Sequence, residues 1–186
     1  MDISNQFHDL MSKDRNYDEA VYFAMHNSQG RVWLIGGTVY KNLAHLLYNT
    51  QRPEADFDFI VEYPDAKLRV PSGWEVRKNH YGNPKIVGKK YSIDFVPLEN
   101  IDSIIRRELT PTIENFLTGT PLTVQSVVYG VLEKKLIGEI GLRALADRAV
   151  AANDKEQLEI YASRKEKTPE EIIKKTADCL GFKPLF

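Results

Sequence analysis

Residues 56–62 read DFDFIVE, and this strict alternation is the strongest constraint in the chain. Apolar and polar residues repeating every second position specify a β-strand, because successive side chains on a strand point to opposite faces. Asp56, Asp58 and Ile60 therefore share one face, and Phe57, Phe59 and Val61 share the other. Burying the aromatic face fixes the register, since a slip of one residue would bury the acids and expose the rings. Two carboxylates are thus held side by side, with Cα atoms roughly 6.5 Å apart, in a run that is otherwise apolar. An unpaired charge in such surroundings is unfavourable unless it finds a partner. A third aspartate, Asp94, lies inside another short apolar run, Tyr91 to Val96 (YSIDFV).

The segments around these strands are legible from the same kind of pattern. Residues 31–35 (RVWLI) form a short β-branched and aromatic run cut off by Gly36-Gly37, and residues 38–49 place Val39, Leu43, Leu46 and Leu47 at helical spacing. The expected unit is strand, glycine turn, helix. Residues 18–28 predict an earlier helix, ended by Gly30. Residues 73–78 and 84–87 are shorter strand candidates, and Gly88-Lys89-Lys90 makes a turn into the strand carrying Asp94, so a hairpin and a mixed sheet with antiparallel edges follow. Beyond residue 101 helices dominate. Thr120-Pro121 reads as a helix start, residues 131–140 as a small hairpin or break, and Thr168-Pro169-Glu170-Glu171 as a capping box whose helix Gly181 closes. The fold class expected is α/β (α+β): a mixed-sheet core over residues 1–120 with its N-terminal helix, and a helical extension over 121–186.

Composition narrows the function classes. The 186 residues are 42% hydrophobic and 27% charged, as in one ordinary globular domain. A net charge of -1 supplies no overall basic field for gripping a long nucleic acid. Cys179 is the single cysteine, so no internal disulfide forms; its place in an apolar helical pattern predicts a packed thiol, and a reducing, cytoplasmic compartment is expected. The first ten residues contain Asp2, Asn5, Gln6, His8 and Asp9 where an export signal would be continuously apolar, and no apolar run is long enough to span a membrane. The four histidines are scattered without the spacing of a zinc site.

The chemistry that most simply accounts for three strand aspartates is a divalent cation. Mg²⁺ takes hard oxygen ligands, commonly one or two carboxylates together with substrate phosphates, and two carboxylates on one strand can also straddle a metal pair. A plainer arrangement has Asp56 capping a turn after Pro53-Glu54, Asp58 facing solvent, and Asp94 paired with Lys89 or Lys90. The order strand, Gly-Gly, helix, D-x-D strand, hairpin strand with Asp favours the metal.

In that order, LIGGTVYKNL, ADFDFIV and YSIDFVPL resemble the DNA polymerase β-like nucleotidyltransferase superfamily, and within it the head domain of CCA-adding enzymes and bacterial poly(A) polymerases. PLTVQSVVYGVLEKKLIGEIGLRAL is similar to the segment that follows that head, so the resemblance covers roughly residues 30–150. It implies an enzyme that transfers a nucleoside monophosphate from an NTP to a hydroxyl and releases pyrophosphate. Asp56, Asp58 and Asp94 would be the catalytic residues and the ligands of Mg²⁺ or Mn²⁺, with Asp94 also a base. Gly36, Gly37 and Thr38 would bind the triphosphate, and Lys41, Lys89 and Arg148 would make phosphate or base contacts. The acceptor, whether RNA, a small molecule or a protein, is left open. Val39-Tyr40-Lys41 stands where that family usually has Val-Arg-Asp after the glycines, and Gly119-Thr120-Pro121 where it has the Arg-Arg-Asp that meets ribose and base. These departures support an alternative, a catalytically reduced relative that serves as a nucleotide-binding or partner-binding module. Arg106-Arg107 offer a further pair of charges for steering phosphates, or a solvated basic face.

Overall fold

The computed structural model describes residues 2–54 and 56–186. Two N-terminal helices, α1 (Ile3–Met11) and α2 (Arg15–His26), precede strand β1 (Ser28–Ile35), helix α3 (Gly37–Tyr48) and strand β2 (Asp56–Pro64). Strands β3 (Glu75–Lys78), β4 (Pro84–Val87) and β5 (Ser92–Pro97) follow, then the short helices α4 (Asp102–Arg106) and α5 (Ile113–Thr118). A second hairpin, β6 (Val128–Gly130) with β7 (Lys135–Ile137), leads to helix α6 (Glu139–Ala146). Strand β8 (Ala149–Val150), helices α7 (Lys155–Arg164) and α8 (Pro169–Leu180), and strand β9 (Lys183–Pro184) complete the chain.

Among the described residues, seven strands form one sheet in the order β3-β4-β5-β2-β1-β6-β7. Within that sheet β2 and β5 run parallel and the other pairings are antiparallel. The sheet is therefore mixed, with antiparallel edges, as the hairpin pattern requires. Strand alternation divides the apolar residues between its two faces. Phe57, Phe59 and Val61 of β2 and Ile93 and Phe95 of β5 join the larger core with α1, α2 and α3. Trp33, Ile60 and Val128 join a smaller core with Ile104, Ile113 and Leu117 of α4 and α5. Asp56, Asp58 and Asp94 stand on the second face, beyond the edge of that smaller core. Phe57 and Phe59 are almost fully buried, and burial of such rings stabilises by roughly 1.5–3 kcal/mol each.

Several expectations are corrected. The chain has an N-terminal helix, α1, that was not foreseen; Asp2 caps it by accepting from the Ser4 N–H at 3.2 Å. Thr120-Pro121 does not start a helix: a single 3-10 turn, Thr123–Gln125, follows, and the Thr120 hydroxyl is buried against the Leu117 and Leu122 carbonyls. The β-branched residues Thr123, Val124, Val127 and Val128 lose side-chain freedom in a helix and here feed β6. Strand β6 pairs with β1, so the sheet continues past residue 120 into the segment expected to be a helical extension. Cys179 is exposed: Ile172, Ile173, Ala177 and Leu180 make the buried stripe of α8, and Cys179 lies off it. The capping box does form, with Thr168 and Glu171 each accepting the other's backbone N–H, and Gly181 closes α8 at φ +67°.

Candidate active site

The site is built where three backbone features meet. In β2, alternation turns the Asp56 and Asp58 carboxylates to one face. Parallel pairing of β2 with β5 then sets Asp58 directly beside Asp94 and Asp56 beside Ser92. On the other side of β2, antiparallel β1 brings Ile35 opposite Asp58, so the chain enters the Gly36-Gly37 turn at the height of that carboxylate. Gly36 has φ +72°, and a Cβ there would lie 2.8 Å from Asp58 Oδ2. Only glycine lets the backbone pass so close to the acid. The helix α3 starts at Gly37, with its first N–H groups adjacent to this point.

The Asp58 carboxyl is raised from the usual carboxylate range to about 7. Burial is the largest cause, then the negative charges of Asp94 and Asp56, against which Lys85 acts. Lys85 Nζ lies 2.8 Å from Asp94 Oδ2 and 4.0 Å from Asp56 Oδ1. Asn79 donates to the other Asp94 oxygen at 2.9 Å. Asp56 turns towards Ser92, whose hydroxyl it accepts, and its side chain is 57% exposed against 15% for Asp94. Among the described residues, no three His, Cys, Asp or Glu side chains are drawn together closely enough to hold a metal ion. The donor chemistry nevertheless fits a hard divalent cation: carboxylate oxygens on two neighbouring strands, and three acids against one lysine.

The other residues singled out from the sequence fall into separate groups. Thr38 is buried and its hydroxyl donates to the Asp56 carbonyl, so it ties α3 to the start of β2 and is not aimed at the cleft. Lys41 folds back along α3; its Nζ would lie 3.8 Å from a Cβ at Gly37. Lys89 is exposed in the β4–β5 turn. Arg148 stacks on Tyr48 at 4.9 Å and donates to the Gly181 carbonyl, apart from the aspartates. The lysine expected beside Asp94 is Lys85, not Lys89 or Lys90. The signal was available: Lys85 and Asp94 face each other across the β4–β5 hairpin once its register is set. Arg106 is held by Gln157 at 2.6 Å and Glu156 at 2.5 Å, and Arg107 by the Ser103 and Asn115 carbonyls. Both arginines fasten helices together and do not form a free basic face.

Asp58 and Asp94 open onto a cleft of about 520 Å³ whose near end also includes Gly36 and Lys85 and whose far wall includes Asp102, Gln157, Tyr161 and Lys165. Gln157 is nearly buried, with its amide oxygen engaged by Arg106. The β3–β4 turn reaches the same cleft with Tyr81, on which Arg164 of α7 stacks at 4.5 Å. Among the described residues no helix is long and apolar enough to cross a membrane.

Neither the protein-family models nor the curated protein sequences give a match to this chain. Solved structures do. A CCA-adding enzyme in complex with CTP superposes with a TM-score of 0.58 at 16% identity, over 85% of this chain and 38% of that one. A tRNA-processing enzyme without ligand gives a TM-score of 0.56 at 20% identity, over 92% of this chain and 44% of that one. The Thermotoga maritima CCA-adding enzyme complexed with tRNA gives 0.51 at 17% identity, over 77% and 36%. The chain spans less than half the length of each, and across that span it shares their mixed-sheet fold.

Proposed function

We propose that this chain is a divalent-metal-dependent nucleotidyltransferase that transfers a nucleoside monophosphate from an NTP to a hydroxyl acceptor. The observation that carries the reading is the meeting of Asp58, Asp94 and the Gly36 backbone at one end of a cleft, within a fold shared with CCA-adding enzymes. Asp56, Asp58 and Asp94 would hold Mg²⁺ or Mn²⁺, which when bound neutralises phosphate charge and lowers the pKa of the attacking hydroxyl. Gly36 and Gly37 leave room for the triphosphate, and the first turn of α3 favours its negative charge. Asp94, oriented by Asn79 and Lys85, accepts the proton of the acceptor hydroxyl. The hydroxyl oxygen forms the new bond to the α-phosphorus as the bond to pyrophosphate breaks. Thr38 acts at one remove by holding the Asp56 backbone to α3.

The test is incubation with each labelled NTP and Mg²⁺ or Mn²⁺, with an RNA pool and small hydroxyl compounds as acceptors, beside the Asp56→Ala/Asp58→Ala variant. Metal-dependent transfer by the intact protein and its loss in the variant is the expected result. The ion pair of Lys85 with Asp94 favours a second reading, in which the lysine replaces the metal and the cleft binds nucleotide without chemistry. Metal-independent NTP binding with no transfer to any acceptor selects that reading and overturns the first.

A further inference from the structure

A second cavity, about 290 Å³, lies between α3, α7 and α8. Its wall carries four lysines, Lys41, Lys165, Lys167 and Lys175, and no carboxylate, in a chain whose acids outnumber its basic residues by one. None of the four belongs to an ion pair among the described residues. Lys41 comes from α3, Lys165 and Lys167 from the turn after α7, and Lys175 from α8, and four like charges on one wall repel one another. The second, independent feature is Tyr40. It is 93% buried by its relative exposure of 7%, lines this cavity, and its hydroxyl has no hydrogen-bond partner. Burial holds its proton on, pushing the phenol well above its ordinary range, so the group is a standing O–H donor. The hydroxyl makes no hydrogen bond with another described residue, and its residue lines the lysine-walled cavity.

We infer that this cavity is an anion site that takes a polyphosphate group, held by Lys41, Lys165, Lys167 and Lys175 with the Tyr40 hydroxyl donating to it. Lysine binds phosphate as a point charge, and a concave wall of one sign concentrates its counter-ion. The site is distinct from the aspartates, because its donors are cations on helices and a helix-connecting turn and the sheet acids do not line it. It is also contiguous with them: Tyr161 and Lys165 border both cavities, and Lys41 reaches back to Gly37. The inference does not depend on the transfer reaction.

The probe is inorganic pyrophosphate in EDTA, so that no divalent metal contributes. Cys179 lines the same cavity, is exposed, and is the single cysteine of the chain, which makes its alkylation rate a local reporter. Pyrophosphate is expected to bind at one site by calorimetry and to slow Cys179 alkylation at least threefold, whereas sulfate at equal ionic strength does neither. Lys167→Ala/Lys175→Ala should weaken binding about tenfold and Tyr40→Phe about threefold, in keeping with one or two lost charge-assisted or neutral hydrogen bonds. Lys167→Gln/Lys175→Gln, which keeps side-chain length, should behave like the alanine pair. Asp58→Asn should bind as the parent does, whatever becomes of nucleotide transfer. Absence of binding, unchanged binding in both lysine pairs, no protection of Cys179, or loss of binding in Asp58→Asn would each overturn the inference.

Discussion

The acidic end of the cleft and the lysine cavity share Tyr161 and Lys165, yet they are assembled by opposite means. The acids come from neighbouring strands, where alternation and register fix each carboxylate to within a residue. The lysines come from α3 and from the α7–α8 turn and α8, two stretches separated in sequence by more than 100 residues and brought together by packing between elements. A strand-built cluster stands on hydrogen-bonded neighbours and is rigid. A helix-built cluster depends on packing between elements and on long, mobile side chains. The comparison teaches that charge clusters of opposite sign differ here in how much of their geometry the backbone alone sets.

The most severe way to break the comparison is at Asp58. Under the proposed function, Asp58→Asn should lower nucleotide transfer by on the order of 10²–10³-fold, as loss of one preorganised electrostatic group does, measured with saturating NTP and metal. Gly36→Ala comes next. The new Cβ would meet Asp58 Oδ2 at 2.8 Å on a backbone with φ +72°, so a stability loss of about 1–3 kcal/mol is expected in urea melts, together with reduced transfer.

A subtler difference appears with pH. Asp58 is raised from the ordinary carboxylate value to about 7 in the folded state, chiefly by burial. The folded protein therefore holds that proton more tightly than the unfolded chain. Its contribution to stability is greatest below the unfolded pKa, near 4, and is lost as pH rises towards 7. Metal-free protein should lose about 1–2 kcal/mol across that window, discounted for the partial exposure of the site, and Asp58→Asn should flatten the curve. Measured by denaturant melts in EDTA, a curve for the parent that rises with pH by the same amount as the variant's would contradict the burial argument. The smallest effect belongs to the helical side. Thr168→Ala removes the cap of α8, which carries Lys175, and should cost about 1 kcal/mol in a thermal melt.

How far the sequence could be read follows from the range of each interaction. DFDFIVE specified its own strand because steric alternation and burial of Phe57 and Phe59 act within a few residues. Gly36-Gly37 and the Thr168–Glu171 box were legible for the same reason. Thr120-Pro121 misled because a helix-start signal needs a following helix, and the valines after it found a sheet edge on β1. Cys179 misled because a helical stripe fixes the buried face only to within one position on either side.

The sequence by itself determined two acids on one face of one strand, the glycine turn before them, and a third acid in a separate strand. Tertiary structure decided that β5 lies parallel to β2, so that Asp94 is the neighbour of Asp58, and that Lys85 is the counter-ion of Asp94 and Asp56. It also decided that Tyr40 lines one cavity with four lysines from α3, α8 and the turn between α7 and α8. The physical reason is that dihedral preference and side-chain alternation are local and recur every two or three residues. Which strand pairs with which, and which helix faces meet, depends instead on the burial shared by distant segments, and on that the periodicity of any one segment is silent.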